Sequence, residues 1–327
     1  VKLSVFFSVI AMTVAIGNIS ASTQDRERAA IDGNERIVGG EEVAVGDGPW
    51  AVRLNITRSD GNQYICGASL VAPRVSSNPL DTSVTWQGGV DGARWLITAA
   101  HCIWDNGAGT YVLPSAVKAI TGRIDLNATG GEERSIIAMI PHSDYATNPD
   151  HDIALLIMNE SSTSLPEARR RSIRLPALFD VGWLENPYLA LITQGWGKTD
   201  ESGATSQNLL EVRVPQVDRT TCENRYAPYG YSIPSGQICA GFVSGGFDSC
   251  GGDSGGPLLY RPATDSTALM SGNLSRDEVL VGVVSWGVGC ARQDLFGVYT
   301  SVSRYSEWLR SSVIRCLRDT ATLNDCS

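Results

Sequence analysis

Histidine is scarce in this chain: its 327 residues include only three, His101, His142 and His151. Any imidazole chemistry near neutral pH must use one of them. No Cys-x-x-Cys pair occurs among the eight cysteines, which argues against common zinc patterns and for disulfides in an oxidising compartment. Apolar runs long enough to cross a bilayer are missing as well. The run at residues 3–16 follows Lys2 and precedes Ile19-Ser20-Ala21, a small-residue cleavage pattern, so residues 1–21 read as an export signal. The mature protein is expected to be secreted without a membrane anchor, into the periplasm if the source is bacterial. Surplus positive charge is lacking too. With 26 basic and 35 acidic side chains the net charge is −9, which opposes binding to phosphate backbones and excludes nucleic acid as an expected partner.

What is present concentrates in Asp248-Ser249-Cys250-Gly251-Gly252-Asp253-Ser254-Gly255-Gly256-Pro257. Glycines crowd around one serine, so the amides of Gly252 and Ser254 can converge on one point and stabilise an oxyanion. A serine hydroxyl needs a base within hydrogen-bond reach, and that base needs a third group to hold its tautomer. His101 ends the apolar run Trp95-Leu96-Ile97-Thr98-Ala99-Ala100, beside Cys102. His142 and His151 lie in a polar, proline-containing stretch and read as surface residues. Asp152 opens Asp152-Ile153-Ala154-Leu155-Leu156, and an acid buried in such a segment needs a partner. Taken singly, His101 and Asp152 each read as structural.

Together, the order His101, Asp152, Ser254, each inside its own flanking motif, resembles the trypsin and chymotrypsin family of serine endopeptidases. The resemblance covers residues 37 to about 315. It runs through Ile37-Val38-Gly39-Gly40, Ala99-Ala100-His101-Cys102, Asp152-Ile153-Ala154-Leu155, Gln194-Gly195-Trp196-Gly197, the Ser254 segment, Ser285-Trp286-Gly287 and Gly297-Val298-Tyr299-Thr300. It implies an all-β fold of two antiparallel β-barrels packed face to face, the active site in the cleft between them, and a C-terminal helix. Ser254 would attack, His101 would act as base and then acid, and Asp152 would orient His101. Gly252 and Ser254 would supply the oxyanion amides. Asp248 would lie at the bottom of the pocket for the residue before the scissile bond, with Ser249, Ser285, Trp286, Gly287 and Gly297 lining it. A carboxylate there selects Arg or Lys, so the partners implied are peptides and proteins cut after those residues, and protein inhibitors. Ser285-Trp286-Gly287 would pair with substrate backbone as an added strand.

The resemblance also implies a precursor. Cutting after Arg36 would free an Ile37 ammonium to pair with Asp253. Residues 22–36 would be a polar propeptide, residues 37–315 the protease domain with its barrel boundary near 159–176, and residues 316–327 a short extension. The implied disulfides are Cys66 with Cys102, Cys222 with Cys239 and Cys250 with Cys290, which leaves Cys316 and Cys326 for each other. No cofactor or metal is assigned: calcium is disfavoured because Arg123 stands where calcium-binding members carry a ligand carboxylate, and sodium dependence, raised by Phe296 where the family commonly has proline, stays open.

Several expectations rest on patterning alone. Val52, Leu54 and Ile56, and Val279, Val281 and Val283, predict strands with one buried face. Only Val302, Tyr305, Leu309 and Val313 follow helical spacing. Residues 72–93 and 260–278 read as solvated surface insertions. A catalytically silent homologue acting as a binding module is the alternative, but such proteins normally lose a triad residue, and none is missing here.

Overall fold

Alternation of aliphatic and polar residues turns Ala51–Thr57 into a strand whose Val52, Leu54 and Ile56 are buried while Arg53 and Asn55 are half-exposed. In the computed structural model this strand, β1, belongs to a closed antiparallel barrel. The structure describes residues 37–319 and 326, apart from 45, 79, 90–92, 162–164, 167–168, 178–188 and 263–277. The expected export signal, propeptide and Arg36 lie outside the described residues.

The other strands of this barrel are β2 (Gln63–Val71), β3 (Trp95–Thr98), β4 (Val117–Thr121), β5 (Glu132–Pro141) and β6 (Ala154–Met158), in the order β5-β6-β3-β2-β1-β4. A second barrel follows, from β7 (Ala190–Gly195), β8 (Leu210–Val217), β9 (Gln237–Ala240), β10 (Pro257–Tyr260), β11 (Val279–Trp286) and β12 (Gly297–Ser301). Its order is β8-β7-β10-β11-β12-β9, and β9 pairs with β8 to close it. Closure leaves neither barrel a free hydrogen-bonding edge. Truncating a core residue such as Leu54 to Ala should cost about 2–5 kcal/mol.

The expectation of one buried face fails for β11. Every residue from Val279 to Val284 is buried, as is Ser285. Val279, Val281 and Val284 pack with Leu210, Val212 and Tyr299, while Leu280 and Val283 pack in a separate cluster with Val302, Leu309 and Val313. Both faces of β11 are therefore packed, and a register shift opposite Leu258 and Leu259 puts Val283 on the other face from Val281.

The C-terminal helix spans Ser306–Ile314 and is the last of three α-helices among the described residues. A single turn, Ala100–Ile103, carries His101. The remaining helix, Arg219–Tyr226, corrects the expectation of a helix only near the end. Asp218 caps it by accepting from the Thr221 amide at 2.9 Å, and it buries only Cys222 and Tyr226. Four disulfides join Cys66 to Cys102, Cys222 to Cys239, Cys250 to Cys290 and Cys316 to Cys326.

Residues 72–93 are not simply a solvated excursion. Pro73–Val75 pairs with Val84–Trp86, and Arg310 donates to the Thr82 carbonyl at 2.8 Å. Arg318 donates to the carbonyls of Ser76, Asn78 and Asp81, so the insertion is pinned to the C-terminal helix and the turn after it. The second insertion is closed at its base by Arg261, which bonds Glu278 at 3.1 Å and grips Glu211 with two nitrogens. Residues 263–277 lie outside the described residues.

Candidate active site

His101 comes from the helical turn after β3, and Asp152 from the approach to β6. Antiparallel pairing of β3 with β6 sets Thr98 opposite Ala154 and brings the two residues together. The Asp152 carboxylate takes the His101 backbone amide on Oδ1 at 2.9 Å and faces His101 Nδ1 with Oδ2 at 2.8 Å. That geometry holds the ring proton on Nδ1 and leaves Nε2 as an acceptor. The second barrel completes the grip: Ser285 Oγ donates to Asp152 Oδ2 at 2.5 Å, and Thr300 Oγ1 donates to the Asp152 carbonyl at 2.7 Å.

Burial opposes charge on both groups, yet the pair is stabilised in its ionised form. Desolvation lowers the His101 pKa, but the Asp152 charge and hydrogen bond outweigh it and hold it above the usual histidine value, with Arg58 opposing. Asp152 is pushed up by desolvation but held below the usual carboxylate value by the His101 charge and by bonds from His101 and Ser285.

Ser254 lies in a tight turn in which Gly256 donates to the Asp253 carbonyl at 2.8 Å. Gly252 and Gly255 have φ of +99° and +78°, which side chains rarely adopt. The turn is held between the barrels, because Gly67 N donates to the Ser254 carbonyl at 2.7 Å and Gly255 N donates to the Val284 carbonyl at 2.8 Å. A Cβ on Gly67 would come within 2.7 Å of Gly256 Cα, so backbone meets backbone here. The disulfide sulfur of Cys102 lies 3.5 Å from the Ser254 carbonyl oxygen and 3.9 Å from His101 Nε2. With both sulfurs spent in the Cys66–Cys102 bond, this cluster offers a metal no thiolate.

Beyond Ser254 is a buried carboxylate. Asp248 Oδ2 accepts the Ala291 amide at 3.0 Å and Ser249 also bonds the carboxylate, whereas Oδ1 is buried with no hydrogen bond recorded among the described residues. Burial pushes its pKa up to about 7. Gly297 faces it so closely that a Cβ there would sit 2.7 Å from Oδ1. Ser249 Oγ lies 3.3 Å from the Tyr299 hydroxyl, and the Cys250–Cys290 bond ties the Asp248 segment to the loop after Gly287. Trp286 packs edge-on against Tyr226, with ring centroids 5.0 Å apart. Sequence reasoning missed Tyr226, Ala291, Tyr299 and Thr300 as site residues. Tyr299 and Thr300 stood inside a quoted motif, but nothing in the chain singles out the Ala291 amide.

Ile37 is fully buried in the second barrel, and the Val38 carbonyl accepts the Asp248 amide at 3.2 Å. Asp253 is fully buried as well, accepting the amides of Gly197 at 2.7 Å and Cys250 at 2.9 Å. Burial raises its pKa to about 6, and among the described residues no cation pairs with it. The other two histidines are not plain surface residues: His142 and His151 are half-buried and stack at 4.6 Å, and His151 Nδ1 meets the Tyr305 hydroxyl at 3.1 Å.

Comparison with known proteins agrees with this arrangement. The family profile described as Trypsin matches residues 80–309, well over half the chain. This chain belongs to the trypsin family. Its relatives include coagulation factor IX of Cavia porcellus, 32% identical over 84% of this chain and 80% of the relative. The suppressor of tumorigenicity 14 protein homolog of Bos taurus is 33% identical over 88% of this chain, which spans only 29% of that relative. Transmembrane protease serine 11G of Rattus norvegicus is 31% identical over 84% of this chain and 55% of its own length. Trypsin-family membership and the two-barrel fold thus agree with each other.

Proposed function

We propose that this trypsin-family chain is a secreted serine endopeptidase, made as a precursor and cutting after Arg or Lys. The observation that carries the specificity is Asp248 Oδ1, a buried carboxylate oxygen that faces Gly297 and pairs with no cation among the described residues. A buried acid of this kind is costly until a cation reaches it. Arginine and lysine are the side chains long enough to do so.

In the reaction, Ser254 Oγ attacks the scissile carbonyl and passes its proton to His101 Nε2. Asp152 accepts from Nδ1 and stabilises the resulting imidazolium. The Gly252 and Ser254 amides receive the oxyanion, a contribution worth about 10²–10³-fold per donor. His101 then protonates the leaving amine, and water hydrolyses the acyl-enzyme by the same steps in reverse. The buried Ile37 segment and an Asp253 with no cation beside it among the described residues support activation by cleavage after Arg36. No helix among the described residues is long and apolar enough to cross a membrane.

Processed protein incubated with an arginine peptide ester and a covalent serine reagent tests this reading. Turnover with labelling at Ser254 supports it. Absence of both would favour the silent binding homologue.

A further inference from the structure

We infer that Arg58 is a specificity-determining residue for the positions that follow the cleaved bond, favouring acidic side chains there and disfavouring basic ones. The inference rests on the endopeptidase reading and concerns the opposite side of the same cleft from Asp248.

The Ser254 turn lies between two strands. On one side Gly255 bonds Val284, which leads into Ser285, Trp286 and Gly287, the segment expected to pair with residues before the scissile bond. On the other side Gly67 bonds the Ser254 carbonyl, and its strand β2 runs back to the hairpin tip at residues 58–62. A peptide pairing with the first strand must leave along the second. Arg58 stands on that exit, with its guanidinium 4.0 Å from the Tyr64 ring centroid and Nη2 donating to the His101 carbonyl at 3.3 Å. The aromatic face fixes the head group without neutralising it.

Arg58 forms no ion pair with the described residues, and its Nε is buried without a hydrogen-bond partner. The carboxylates on neighbouring turns are turned to other donors. Asp60 accepts from Asn62 and Tyr64, and Asp105 accepts the amides of Ser59, Gly107 and Ala108. Both carboxylates stay ionised, but neither forms an ion pair with the guanidinium, so a substrate carboxylate that reaches Arg58 has no ion-pair partner to displace. At about 3.3 Å per extended residue, Arg58 can meet the first few side chains after the cut.

The test uses fluorogenic peptides with one arginine before the bond and Glu, Gln or Lys at the first, second or third position after it. Processed wild type, Arg58→Gln and Arg58→Lys are compared at low and high salt. The readout is the ratio of kcat/KM for Glu over Lys within each enzyme, which is independent of how much of a variant folds. A half-exposed charge should give a ratio of about tenfold in the wild type at low salt, shrinking as salt rises. The ratio should persist in Arg58→Lys and fall to near one in Arg58→Gln. A flat ratio in the wild type, or one that survives Arg58→Gln, overturns the inference. An arginine ester with no residue after the bond separates the two readings: its hydrolysis by wild type alongside a flat ratio sinks only the role of Arg58, whereas no hydrolysis sinks the endopeptidase itself.

Discussion

Ser285 and Asp152, 133 residues apart, share a 2.5 Å hydrogen bond that reaches from the second barrel to the carboxylate of the first that faces His101. The same acid is held through its backbone by Thr300. Each barrel thus supplies part of the support that keeps one carboxylate aimed at His101. A hydrogen bond to a charged group contributes about 1.5–3 kcal/mol. Ser285→Ala should therefore lower kcat/KM by about tenfold or more while the fold remains intact, as read by ester hydrolysis beside thermal unfolding.

Ser254→Ala and His101→Ala should each lower kcat by roughly 10⁶-fold, and the double variant should be no worse than either alone, because the groups act as a unit. Additive losses in single-turnover measurements would mean that the two side chains do not share one proton transfer.

Asp248→Ser removes the only carboxylate assigned to the specificity pocket. Losing one partner of a buried pair costs about 3–5 kcal/mol, so kcat/KM for arginine esters should fall by about 10²–10⁴-fold. Labelling of Ser254 by a small unspecific reagent should continue. Arginine turnover that survives the change would disprove the pocket assignment.

Cleavage after Arg36 should switch the enzyme on. Asp253, whose pKa is raised to about 6 by burial, has no described cation beside it and would gain the Ile37 ammonium. An Arg36→Gln precursor should resist activation by added trypsin-like protease. Full activity from that precursor would remove the latch from the mechanism.

Two protonations should separate in a pH series. His101 must be neutral to accept a proton, and the Asp152 charge holds its pKa above the ordinary histidine range, so the acid limb of kcat/KM should be displaced upward. Asp248 titrates near 7 in the free enzyme. Its protonation removes the charge that attracts arginine, so KM for arginine substrates should rise as pH falls through 7, while bound arginine keeps the carboxylate ionised. A KM flat across that range would contradict a buried, unpaired Asp248.

The barrels and the meeting of His101 with Asp152 were legible only through the family resemblance carried by short motifs around each functional residue; period-two aliphatics in β1 foretold a strand and nothing of its closure. What escaped was non-local. His142 and His151 read as solvated because Tyr305, which packs against both, lies more than 150 residues further along the chain. The Arg219–Tyr226 helix was hidden by its polar composition, though Asp218 is a favoured N-cap residue type that could have pointed to it. Residues 72–93 gave no sign of their anchorage, because Arg310 and Arg318 bind carbonyl oxygens that every sequence possesses.

Gly67 and Gly256 touch through bare backbone, with Gly255 wedged against Thr98 beside them. Aliphatic packing can absorb a misfit by rotating side chains, but two peptide planes in contact have no rotamers to adjust. A single methyl added at Gly67 would consequently press on the backbone of the turn that carries Ser254, costing stability at the seam between the barrels as well as the placement of that serine.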